Sequence, residues 1–131
     1  PDERNTMHYW LMLNNPEPGD IGLSKEDMAP MEAAFDAYAK SLHESGVLVY
    51  AEILQPSQQS TTLTVRGGSL QVQDGPFADT KEKLNGTFVI DVPDLDAALA
   101  WAEKCPGATY GVIEIRPAAI LFRDGQWTLA A

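Results

Sequence analysis

The sequence predicts an α+β domain: an antiparallel sheet with two helices packed on one of its faces. Three observations carry this. Short apolar runs bounded by Gly, Pro, Asn and Asp recur along the chain. Two other segments space their apolar residues by three and four, the period of a buried helical face. In order these elements read strand, helix, strand, hairpin, strand, helix, strand, which is the split β-α-β layout.

The first strand is "MHYWLMLN", residues 7–14. Alternation puts Tyr9, Leu11 and Leu13 on one face and Trp10 and Met12 on the other, so both faces are apolar. "NPEPGD" (15–20) has the composition of a loop. Met28, Met31, Phe35, Tyr38 and Leu42 then mark one helical face, with Ser24 and Asp27 at capping-box spacing. Because a proline deep in a helix removes a hydrogen bond, the sequence predicts a turn at 24–28 and the main helix from Ala29, closed by Gly46. "VLVYAEIL" (47–54) is the second strand, and "TTLTVRGGSLQVQ" (61–73) a hairpin turning on Gly67-Gly68. In 74–86, Asp79 and Glu82 predict a short helical turn, with Asn85-Gly86 as its left-handed exit. "TFVIDV" (87–92) is a strand. Asp94 caps a second helix whose inner face is read as Leu95, Ala98, Leu99 and Ala102, and "GVIEIRP" (111–117) is the last strand of the unit. The tail 118–131 carries a DG turn between two apolar runs, a further hairpin. The reading is one domain, 1–131, with 118–131 as a C-terminal extension.

Two helices cover only one side of a sheet whose strands are apolar on both. A second copy packing sheet to sheet is the expected cover, which makes the expected assembly a homodimer around an apolar chamber. The formal charge is −10, from nine bases against nineteen acids, which argues against nucleic acid as a partner. No apolar run reaches the roughly 18 residues of a membrane span, and no charged-then-apolar leader precedes the first strand, so neither a membrane nor secretion is expected. The single Cys105 forbids an internal disulfide, fits a reducing, cytoplasmic setting, and reads as a small buried side chain.

Several polar side chains stand where chemistry could use them. Asp74 and Lys81 form a candidate acid–base pair in the 74–86 stretch. His8 shares the strand face of Trp10 and Met12 and is a candidate base. Glu52, on an otherwise apolar strand, is either an edge residue in water or a cavity acid. His43 reads as a helix-terminal cation, Asp91 as a surface residue, and Arg66 and Arg116 as partners for acids. The expected ligand pocket is built from Trp10, Met12, Phe35, Tyr38 and Phe77. Two lone histidines make a poor zinc site, and no phosphate loop, nucleophile elbow or dinucleotide fingerprint is present, so neither metal nor cofactor is expected.

The stretch "DGPFADTKEKLNGTFVIDVPDLDAALAWAEKCP" resembles the YCII-related family in its DGPF-motif branch. The matching residues are Asp74-Gly75-Pro76-Phe77, Asp79-Thr80-Lys81-Glu82, Gly86, Asp91-Val92 and Ala98 to Ala102. "GVLVYAEILQP" and "GVIEIRP" are similar to the family's second and last strands, so the resemblance spans about residues 7–117. It implies a ferredoxin-like fold, a dimeric α+β barrel, lyase-type chemistry in some members and an association with sigma factors in this branch. The wider family is noted for a His on the first helix, taken with an Asp as a candidate catalytic pair. Phe35 stands at that position here, followed by Asp36, so that pair is not carried over. Two functions from different classes follow. One is a cofactor-free lyase, isomerase or cyclase using acid–base chemistry on a small organic molecule. The other is a non-catalytic ligand-binding or regulatory partner module.

Overall fold

Strand β1 (Met7–Asn15) is the centre of the structure, a computed structural model that describes residues 6–130. It lies between β5 (Lys83–Val92) and β6 (Val112–Pro117), antiparallel to both, and β2 (Leu48–Ile53) adds on the far side of β5. The sheet order β2-β5-β1-β6, with α1 (Lys25–Glu44) and α2 (Leu95–Glu103) as the crossovers, is the ferredoxin-like α+β arrangement. Two further ribbons stand apart as separate two-stranded sheets. They are β3 (Thr61–Arg66) with β4 (Ser69–Asp74), and β7 (Ile120–Arg123) with β8 (Gln126–Leu129). No described helix is long and apolar enough to cross a membrane.

Strand alternation decides what the core contains. Tyr9, Leu11 and Leu13 of β1 and Phe88, Ile90 and Val92 of β5 point to the helices and pack with Tyr38, Leu42, Ala98 and Ala102. Leu11, Leu42 and Ile90 are fully buried, each worth roughly 1.5–3 kcal/mol of transfer free energy. The Tyr38 hydroxyl donates to the Trp101 carbonyl at 2.7 Å and ties α1 to α2, while burial pushes its phenol pKa far up. Cys105 is buried in the same core, where burial raises its thiol and leaves it an inert apolar side chain, as expected.

Four local expectations are corrected. Helix α1 is continuous from Lys25 through Pro30. Its capping box is complete, with the Asp27 amide donating to Ser24 Oγ and the Ser24 amide to Asp27. Pro30 is exposed, so the Glu26 carbonyl it leaves unpaired is on the wet side of the helix. The second correction is in α2, where Leu95 and Leu99 are half-exposed. The inner stripe is Ala98 and Ala102, flanked by Ala97 and Trp101. Third, residues 79–82 form no helical turn, and β5 starts at Lys83.

The fourth correction concerns Asn85-Gly86, which lies inside β5 and not at a left-handed exit. A Cβ on Gly86 would sit 2.5 Å from the Glu52 carbonyl oxygen and 2.9 Å from Ile53 Cδ1. Glycine is there to let β2 and β5 approach, beside the bulge at Leu13/Asn14. Gly86→Ala should therefore lower unfolding stability by about 1–3 kcal/mol in urea denaturation, through displacement of β2.

Candidate functional site

The sheet has two unlike faces. On the helix side, α1 touches the core tightly only in its C-terminal half, at Tyr38 and Leu42. Toward its N-terminus α1 stands off the sheet, and a cavity of about 770 Å³ opens between it and β2, with the small Ala39 and Ala51 among its lining residues. Its body is apolar: Met28, Met31 and Phe35 from α1, Phe88 from β5, Ile53 from β2, and Ile21 from the incoming loop. Phe35 stacks on Phe88 with ring centroids 6.3 Å apart. Polar groups stand only at a few points of the wall, namely Asn15, Asn85, Tyr110, Glu32, Asp36 and Glu52. Asp36 is already paired with Lys40 at 2.8 Å.

The loop between β1 and α1 forms one wall of this cavity through Pro16, Pro18 and Ile21. Glu17 fastens it. The Ser57 amide donates to Glu17 at 2.6 Å, the Ser57 hydroxyl donates to the other carboxylate oxygen, and Lys83 lies 3.4 Å from Glu17 and 2.8 Å from Asp20. Burial pushes the Glu17 carboxyl up, but the bonds from Ser57 and Lys83 outweigh it and hold the group below its ordinary value. The Asp20 bond, above all, raises Lys83. The stabilisation from Glu17 is thus present above the ordinary glutamate range and lost as pH falls through its lowered folded value. That from Lys83 is present below the ordinary lysine range and lost as pH rises through its raised one. Glu17→Gln should flatten the acid limb of a stability-versus-pH curve measured by chemical denaturation. It should also raise hydrogen exchange in 16–23.

On the other face, register aligns a different set. His8 pairs with Asp91, Trp10 stands between Arg116 and Val89, and Met12 between Glu114 and Thr87. Tyr50 and Glu52 of β2 face Val89 and Thr87. His8 Nδ1 contacts the Asp91 carboxylate, both side chains being almost nine-tenths buried. Trp10 and Tyr50 meet edge to face at 6.2 Å and are both partly exposed. Thr87 is buried with its hydroxyl unpaired among the described residues. Arg116 bonds Glu114, as expected of an arginine beside an acid.

The sequence-predicted site residues therefore fall into three places. His8, Trp10 and Met12 share the uncovered face by strand alternation, and Glu52, at the β2 edge, has the same alternation while also bordering the cavity. Phe35 lines the cavity and Tyr38 is in the core, both on the helix side, so one protomer does not gather Trp10, Met12, Phe35 and Tyr38 into one pocket. The sheet itself stands between the two pairs.

Asp74 ends β4, Phe77 and Lys81 lie in the exposed segment that follows it, and none of the three lines the cavity. Phe77 is 87% exposed. The DGPF turn is held by backbone: the Gly75 amide donates to the Ser60 carbonyl and Thr62 Oγ1 donates to the Gly75 carbonyl, both at 2.8 Å. It closes the base of the β3–β4 ribbon.

Three features lay beyond the sequence reading: the Glu17 fastening, the His8–Asp91 pair and the cavity. Met28 and Met31 were visible as a helical face, but a stripe of large side chains gives no sign of the small Ala51 across from it. Among the described residues no three His, Cys, Asp or Glu side chains gather as a metal site.

Comparison with known proteins agrees with this architecture. The family model of the YCII-related domain matches residues 7–120, which takes in the whole four-stranded sheet, both helices and the β3–β4 ribbon. An uncharacterized protein of Rhizobium meliloti (strain 1021) is 34% identical over 122 residues, 92% of this chain and 98% of that protein. With the family model covering most of its length, the chain belongs to the YCII-related family.

Proposed function

We propose that this chain is a small-molecule-binding protein that holds a compact, largely apolar ligand in the cavity between α1 and the β2–β5 edge. The cavity itself carries the reading. Its 770 Å³ falls in the range of ligand pockets, and its wall is an apolar body with a few polar groups near Asn15, Asn85 and Tyr110 to orient a guest. A fused-ring or polyketide-like molecule has the right bulk and polarity. The protein acts as a homodimer, with the face of Trp10 and Tyr50 turned to a second copy, in a cytoplasmic setting that suits the free Cys105. The test is a fluorescence titration with neutral naphthalene methanol. Saturable binding of one molecule per protomer is expected, and absence of binding up to the solubility limit would refute it.

One observation favours a second reading, a cofactor-free lyase, isomerase or cyclase. Asp91 on Nδ1 would fix the His8 tautomer and leave Nε2 as a base, on the strand face that Trp10 shares. In that reading the substrate sits between two copies, with Glu52 as the second acid. Turnover of a bound compound that His8→Gln abolishes while ligand affinity persists would support it. Turnover unchanged in His8→Gln would remove it.

A further inference from the structure

The two ribbons outside the main sheet share a feature that neither the cavity nor the His8–Asp91 pair uses. In β3–β4 the paired residues Leu63 with Val72 and Val65 with Leu70 form an aliphatic stripe on one face. In β7–β8 the pairs Ile120 with Leu129 and Phe122 with Trp127 form an aromatic one, with Phe122 and Trp127 edge to face at 5.1 Å. All eight side chains are 50–80% exposed. An isolated two-stranded ribbon is at best marginally stable in water and needs its apolar face covered. Together the stripes expose on the order of 1,000 Å², close to the roughly 800 Å² per partner of a standard stable interface and far beyond scattered surface hydrophobics.

We propose that the β7–β8 ribbon of one copy packs its aromatic stripe on the aliphatic β3–β4 stripe of a second copy, in two contacts related by a two-fold axis. The symmetry selects this pairing. In an isologous dimer each surface that meets its counterpart does so twice, so aromatic-on-aliphatic contacts cover both stripes of both copies. Self-pairing is confined to a ribbon that lies on the axis itself, whereas the aromatic-on-aliphatic contact forms at both rims. The two stripes have equal length, four side chains on paired four- to six-residue strands. The flat rings of Phe122 and Trp127 suit a shallow bed of branched aliphatics, and a central tryptophan is the commonest anchor of such contacts. This contact extends the dimer of the reading above: the sheet faces meet at the centre and the ribbons clasp at the rims.

Sedimentation of the wild type, Trp127→Glu and Leu70→Glu tests it, with far-UV circular dichroism to verify the fold. The wild type should be dimeric at about 10 μM, and each variant should weaken the dimer at least tenfold. A mixture of Val65→Cys and Phe122→Cys proteins, treated with a bismaleimide, should give a covalent heterodimer, the buried Cys105 being silent. Dimers of wild-type strength in both Glu variants would overturn the ribbon contact and leave only the sheet faces as the interface. Self-cross-linking of Phe122→Cys alone would also overturn it. A monomeric wild type at that concentration would overturn ribbon contact and dimer together, without touching the cavity reading.

Discussion

Phe88→Ala is expected to cost about 3–5 kcal/mol of unfolding free energy, the range for truncating a buried phenylalanine. The ring is 3% exposed, and it joins two parts of the structure. It stacks with Phe35 at 6.3 Å on the cavity side and meets Tyr38 edge to face at 5.1 Å on the core side. Removing it merges the existing cavity with new empty space under α1, and a site already bordered by a void has little to collapse into it. Phe88→Leu, which keeps most of the volume, should cost less than half as much. Urea denaturation with an unchanged m-value is the measurement. A loss under 1 kcal/mol for Phe88→Ala would mean that α1 does not pack on the sheet as described.

Met31→Trp is expected to lower the affinity for naphthalene methanol at least tenfold, with the fold intact. Met31 is half-buried and lines the cavity from α1, so an indole there occupies space a ligand needs without entering the packed core. Met31→Ala should keep binding, since it enlarges the cavity. The His8→Gln protein should bind as the wild type does, because His8 stands on the opposite face of the sheet. Equal affinity in Met31→Trp and wild type would place the ligand elsewhere.

What the sequence made legible was set by local chemistry. The alternation of Tyr9, Leu11 and Leu13 against Trp10 and Met12 gave the two faces of β1 correctly, and Asp94 marked the start of α2, whereas Ser24 and Asp27, read as capping a short turn, cap the whole of α1. The tail hairpin and the Gly67-Gly68 hairpin followed from their turn residues. The long-range partners were not legible. His8 and Asp91 are adjacent only because β1 and β5 are in register, and nothing local to either residue specifies that. Glu17 and Ser57 are forty residues apart and meet through two loops. Gly86 looked like turn punctuation because Asn-Gly usually is, whereas its cause is the carbonyl of Glu52 on a neighbouring strand. The DGPF turn is polar in sequence, and in the structure it closes the base of a ribbon. The body of the cavity draws on methionine, phenylalanine, alanine and isoleucine side chains, residues that in sequence look like core.

The most direct test of the central claim is a crystal structure of the protein soaked with naphthalene methanol. The account predicts density for the fused rings between α1 and β2, against Phe35, Met31 and Ile53. Density only on the Trp10 and Tyr50 face beside His8 and Asp91, with the space under α1 empty, would contradict it.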